Sequence, residues 1–100
     1  MPERGQHSGG CMCGAIRFQS VSAPRSSTIC YCEHCRHAVG APSVAWLTFD
    51  APDFEVVKGR PVTYNFSPGV SRAFCPLCGT SLTFADDGRP GEIDVTTGSM

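Results

Sequence analysis

The chain has 100 residues, a formal net charge of −1 and 41% hydrophobic residues, the size of one domain with a small core. This charge balance offers no basic surface for nucleic acid or anionic lipid, and no segment approaches the roughly 18 apolar residues of a membrane span. Composition therefore argues against nucleic-acid and membrane partners.

The predicted elements are short strands separated by turns, after a flexible, polar and glycine-rich tail at 1–8. Ile16 and Phe18 alternate with polar residues, and later segments are rich in β-branched and aromatic residues, a composition typical of strands. The predicted strands are 14–20, 42–49, 54–59, 61–66, 80–84 and 92–97. One brief helical turn is predicted at 33–40, and the run 86–91 is predicted to be the most flexible loop. The sequence thus predicts a small all-β domain over 9–100, without repeats or a linker.

Cysteine spacing is the most informative feature. The seven cysteines are Cys11 and Cys13, then Cys30, Cys32 and Cys35, then Cys75 and Cys78. An odd number in tight clusters fits a disulfide framework poorly, whereas C-x-C and C-x-x-C pairs can turn both sulfurs toward one ion. The clusters therefore predict zinc binding by reduced thiolates, and hence a cytoplasmic protein.

Seven thiolates divide naturally into four and three. A structural zinc site is closed by four ligands, whereas a functional site keeps three protein ligands and an open position. The segment CPLCGT at 75–80 resembles a zinc knuckle and is expected to supply two ligands of the structural site. Its partners could be Cys11 and Cys13 or, at zinc-ribbon spacing, Cys32 and Cys35. Spacing alone leaves both partitions open.

Three motifs together resemble one known family. They are GGCMCGAIRF at 9–18, CYCEHCR at 30–36 with Gly40 and Trp46 beyond it, and RAFCPLCGT at 72–80. In order and spacing they resemble the glutathione-dependent formaldehyde-activating enzyme and centromere protein V family, over about residues 9 to 99. The resemblance implies a β-tent fold of small antiparallel sheets around two zinc ions. It implies a structural zinc on Cys11, Cys13, Cys75 and Cys78, and a labile, catalytic-type zinc on Cys30, Cys32 and Cys35.

The resemblance also implies a carbon–sulfur lyase-type activity, the joining of glutathione and formaldehyde as S-(hydroxymethyl)glutathione. Three thiolates and a divalent ion carry a net charge of −1, so such a site suits holding a substrate thiol as thiolate better than acidifying water. The alternative is a zinc-stabilised protein-binding module without catalysis. In that case His34 or His37 is expected to close the second site as a fourth ligand.

Four polar or aromatic residues near the clusters are further candidates. His34 can move a proton, and Arg36 and Arg72 can bind a carboxylate of a thiol tripeptide. The competing interpretation is an exposed position for His34 and Arg36 and a structural hydrogen bond for Arg72. Trp46 is expected to belong to the core rather than to a substrate wall.

Members of the family usually continue beyond the strand predicted at 92–97, whereas this chain ends at Met100. We expect the lack of that segment to leave the second site without one wall. We also expect it to expose a sheet edge at 92–97, where a second copy could pair to form a homodimer.

Overall fold

The computed structural model describes residues 7–100, and within them the chain forms nine strands, one α-helix and two short 3-10 helices. The strands are β1 (His7–Gly10), β2 (Arg17–Ser20), β3 (Ser26–Cys30), β4 (Val44–Asp50), β5 (Phe54–Lys58), β6 (Val62–Tyr64), β7 (Val70–Phe74), β8 (Ser81–Asp86) and β9 (Glu92–Thr96). The helix α1 spans Glu33–Val39, and the 3-10 helices span Ala51–Asp53 and Thr97–Ser99.

The predicted all-β fold class is confirmed, and each predicted strand overlaps an observed one. The predicted helical turn at 33–40 corresponds to α1. Residues 1–6 of the predicted tail lie outside the described residues, while His7 and Ser8 already belong to β1. Three strands were missed: β1 is short and glycine-rich, β3 is polar and largely exposed, and β7 is only half-buried throughout.

The strands form two antiparallel sheets. One has the order β1-β2-β5 and the other the order β3-β4-β9-β8-β7-β6. Strand β9 therefore lies inside the larger sheet, paired with β4 on one side and β8 on the other. The expectation of an exposed edge at 92–97 is wrong, because both sides of this strand are hydrogen-bonded within the chain. The edges of the larger sheet are β3 and β6.

The main core lies on one face of the larger sheet, against the three-stranded sheet. Successive side chains of β4 point to opposite faces of the sheet, and Phe49 points into this core, where it packs with Phe18 and Val95. Each of these side chains is at most 2% exposed. The cysteines Cys11 and Cys75 belong to the same cluster, so the first thiol group is built into the core that holds the two sheets together.

A second, smaller cluster lies on the opposite face. It consists of Val44 and Trp46 from β4 and Cys35 from α1, with Phe84 of β8 packed against it. The helix is thus attached to the larger sheet through one of its own cysteines. Among residues 7–100, no helix is long and apolar enough to cross a membrane.

Candidate metal centres and the adjoining cavity

The first thiol group joins two loops that are far apart in sequence. Cys11 and Cys13 come from the β1–β2 loop, and Cys75 and Cys78 from the β7–β8 loop, with all four Sγ atoms within 4.8 Å of one another. The Sγ atoms of Cys11 and Cys13 are 3.5 Å apart, and those of Cys13 and Cys75 are 3.8 Å apart. Tetrahedral zinc with Zn–S bonds of about 2.3 Å requires sulfur separations of about 3.8 Å, so this group fits one ion.

Thr80 connects the two loops and polarises one of the thiols. Its hydroxyl oxygen accepts a hydrogen bond from the backbone N–H of Met12 at 3.1 Å, which leaves its proton for the Sγ of Cys78 at 3.2 Å. Hydrogen bonds from the hydroxyl and the backbone of Thr80 lower the pKa of Cys78 to about 5. This arrangement favours the thiolate, the form that binds a metal.

Backbone N–H groups also point at the buried sulfurs of this group. The N–H of Ile16 donates to Cys11 at 3.2 Å, and the N–H of Leu77 donates to Cys75 at 3.4 Å. The N–H of Gly79 closes the same loop by donating to the carbonyl of Cys75 at 2.9 Å, and its φ of 81° is favourable for glycine and strained for other residues. Cys11 and Cys75 are buried, Cys78 is half-buried and Cys13 is exposed, and together the four thiols supply the number of ligands that a closed zinc site requires.

The second thiol group lies at the start of α1. Cys30 ends β3, Cys32 caps the N-terminus of the helix, and Cys35 lies in the first helical turn, with the three Sγ atoms within 4.8 Å of one another. The backbone N–H of Cys35 donates to the Sγ of Cys32 at 3.4 Å and lowers the pKa of that thiol to about 7. Cys32 is exposed while Cys35 is buried, so the group opens to solvent on the Cys32 side.

The structure therefore groups the sulfurs as four and three, with the knuckle cysteines beside Cys11 and Cys13 rather than beside Cys32 and Cys35. Within the described part of the chain, no histidine, aspartate or glutamate lies close enough to complete the three-thiol group. Its donor set fits a soft divalent ion such as zinc and leaves a coordination position for another ligand.

A cavity of about 410 Å³ adjoins the three thiols. Arg72 of β7 lines it, with Nη2 3.7 Å from the Sγ of Cys35 and the guanidinium 4.7 Å above the ring of Phe84. This places a positive charge beside the thiols in the wall of the cavity, in a position that suits an anionic ligand.

One carboxylate in the wall of this cavity was missed by sequence reasoning. Asp94 of β9 is 8% exposed and accepts a hydrogen bond of 2.6 Å from the hydroxyl of Thr48. Its other oxygen pairs with Arg89, which also contacts Glu92 at 3.0 Å. The ion pair with Asp94 is the largest cause of the raised pKa of Arg89. The two strands carrying Thr48 and Asp94 are paired in register, and no motif in the sequence indicates this contact.

Comparison with known proteins identifies the family of this chain. Residues 6–100 match the family model described as glutathione-dependent formaldehyde-activating enzyme. The chain belongs to this family. The resemblance inferred from the three cysteine motifs is thereby confirmed.

Two curated proteins are similar to this family member over most of the chain. An uncharacterised lyase of Schizosaccharomyces pombe is 34% identical over 86 residues, covering 85% of this chain and 59% of the relative. A protein of Halomonas elongata, named a candidate glutathione-dependent formaldehyde-activating enzyme, is 35% identical over 91 residues, covering 82% of this chain and 57% of the relative. The chain thus spans less than two thirds of the length of either relative.

A crystal structure of a Rhodobacter sphaeroides protein has the same fold, with a TM-score of 0.79 and 24% sequence identity. The match covers 94% of this chain and 87% of that protein.

The remaining candidate residues of this family member take different positions. His34 is exposed, packs against Phe66 in a tilted arrangement with ring centroids 4.7 Å apart, and lines the cavity. Arg36 donates from Nε to the carbonyl of Tyr31 at 3.0 Å and lies outside the cavity lining. Trp46 is 5% exposed and belongs to the core cluster as expected, and its side chain also lines the cavity.

Proposed function

We propose that the chain is a zinc-dependent carbon–sulfur lyase-type enzyme that joins glutathione and formaldehyde to S-(hydroxymethyl)glutathione. One observation carries this proposal: the group of three thiols opens, on the side of Cys32, onto a cavity with a cationic wall. Family membership and the names of the two relatives support the same chemistry.

The two thiol groups have separate tasks in this proposal. Cys11, Cys13, Cys75 and Cys78 would hold a structural zinc, and Cys30, Cys32 and Cys35 would hold a second, labile one. Zinc bound by three thiolates supplies a position at which a substrate thiol is kept as its thiolate.

The protein side chains would orient the substrates, transfer the thiol proton and pair with a substrate carboxylate. The substrate sulfur bonds to the carbon of the aldehyde, the electrons of the C=O double bond move to the oxygen, and that oxygen takes up the proton released by the thiol. His34 lines the cavity and would carry that proton, since an imidazole can both accept and donate one. Arg72 would pair with a carboxylate of glutathione and thereby place the sulfur beside the thiol group.

Metal analysis with and without substrate tests the proposal. We expect two zinc equivalents in the wild-type protein, one of them removed by a weak chelator and protected by reduced glutathione. Cys32→Ser is the matched variant, because this side chain is exposed and its loss should remove only the second equivalent. Product formation from glutathione and formaldehyde is then followed by nuclear magnetic resonance.

The protein-binding module is the alternative outcome of the same experiment. Two inert equivalents, without response to glutathione and without product, would replace the enzyme proposal with a purely structural role for both thiol groups.

A further inference from the structure

A second cavity, of about 550 Å³, adjoins the one beside the three thiols. The two share four lining residues, namely His34, Trp46, Phe66 and Arg72. The larger cavity lies between the C-terminal half of α1 and the strands β6, β7 and β8. It therefore adjoins the candidate active site across these four side chains.

The lining of the larger cavity is mainly apolar and aromatic. Tyr64 and Phe66 are 57% and 56% exposed, and Val39 is 36% exposed, so their side chains present apolar surface to a concavity instead of packing in the core. Phe74 and Trp46 contribute further aromatic surface. The volume lies in the usual range of small-molecule sites, roughly 300–1,000 Å³.

Formaldehyde makes no use of this surface. The aldehyde carbon must reach a sulfur held beside the three thiols, and formaldehyde has no substituent that could extend from there. A larger aldehyde would extend past Trp46 and Phe66, the two aromatic residues common to both cavities. Arg72 lines both cavities and has further N–H donors besides the one that points at Cys35, and these could bind a carboxylate of the thiol. The carboxylate of an adduct would then lie near Arg72 and its apolar substituent in the larger cavity.

We propose that the site joins glutathione to aldehydes that carry an apolar or aromatic substituent, and that the larger cavity binds that substituent. This inference rests on the proposed function and specifies its substrate class. The step is the one written above: a C–S bond forms, the C=O double bond becomes a C–O single bond, and the oxygen gains the thiol proton. No oxidant or reductant is required.

Binding of stable thioethers tests the inference independently of catalysis. Trp46 is the single tryptophan of the chain and lines both cavities, so its fluorescence reports on ligands in either one. The zinc-loaded protein is titrated with S-methylglutathione and with S-benzylglutathione. We expect the benzyl compound to bind about tenfold more tightly, because its ring is partly removed from water.

Tyr64 supplies the decisive variants, since it lines only the larger cavity. In Tyr64→Ala the preference for the benzyl compound should fall to within about threefold, because the ring that would cover the substituent is lost. Tyr64→Phe keeps the ring and should keep the preference. Val57→Ala, an exposed position on β5 outside both cavities, is the matched control and should also keep it.

The outcomes separate this inference from the proposed function. Equal affinity for the two thioethers, or a benzyl preference that survives Tyr64→Ala, would overturn the inference while product formation from formaldehyde still supported the enzyme. Absence of product from any aldehyde would reject the enzyme, whichever thioether bound. If neither thioether bound while product still formed from formaldehyde, this inference alone would be overturned.

Discussion

Replacing one cysteine in each thiol group should have very different effects on stability. Cys75 is fully buried in the main core and belongs to the four-thiol group that joins two loops. A domain of this size has a free energy of unfolding of about 5–15 kcal/mol, and a structural zinc contributes about 10 kcal/mol or more. Cys75→Ser should therefore remove most or all of the net stability.

Cys32→Ser is the matched substitution in the second group. Cys32 is exposed and caps a helix that serine can also cap, so we expect the fold to persist with one zinc equivalent fewer. Thermal unfolding followed by circular dichroism, together with zinc analysis, measures both variants. A cooperative transition and two zinc equivalents in Cys75→Ser would refute the reasoning, as would equal unfolding of the two variants.

Three further substitutions test other parts of the structure. Arg72→Lys should lower kcat/KM of the proposed reaction about tenfold or more with zinc content unchanged, because lysine replaces a planar, bidentate donor with a point charge. Asp94→Asn should lower the free energy of unfolding in urea by about 1–3 kcal/mol, allowing for the partial exposure of its guanidinium partner. The exposed ion-pair partner Asp50 is the control, and Asp50→Asn should cost about 0.5 kcal/mol or less. Gly59→Ala should destabilise by about 2 kcal/mol or more, because φ is +80° and the added Cβ would lie 2.1 Å from a carbonyl oxygen. Gly98→Ala, with open space around the site, should be nearly neutral.

Each of these predictions has a result that contradicts it. Loss of zinc in Arg72→Lys would make this residue part of the metal site's scaffold rather than a substrate contact. Equal effects of Asp94→Asn and Asp50→Asn would mean that burial of the first carboxylate contributes nothing. A Gly59→Ala variant as stable as Gly98→Ala would show that the turn relaxes without cost.

The strands were predictable where side-chain alternation is strong. Ile16 and Phe18 mark β2, and the apolar and β-branched run at 42–49 marks β4, because one face of each strand is buried. β3 carries no such signal, since four of its five residues are exposed at the edge of the larger sheet. The position of β9 was also misjudged, because strand order depends on pairing between distant segments rather than on local composition.

The sequence likewise predicted some parts of the candidate site and missed others. Clusters of cysteines two or three residues apart indicate metal binding locally, and the structure brings every predicted thiol into one of two groups. His34 lies at the cavity as a candidate proton carrier, whereas Arg36 is hydrogen-bonded to its own loop and lies outside the cavity lining. Asp94 and Arg89 gave no signal, because their contact exists only after the β8–β9 hairpin forms.

The sequence by itself determined the β-rich fold class, the family and the three thiol clusters, since these follow from alternation and ligand spacing over a few residues. Spacing alone left open which clusters combine; the family resemblance implied one grouping, and the tertiary structure brings the sulfurs together in that grouping. The contact between Cys13 and Cys75 spans 62 positions in sequence and requires both sheets to be in place. The same holds for the guanidinium of Arg72 beside Cys35 and for the two joined cavities. Such features are set by packing between distant segments, and short-range sequence patterns carry no information about them.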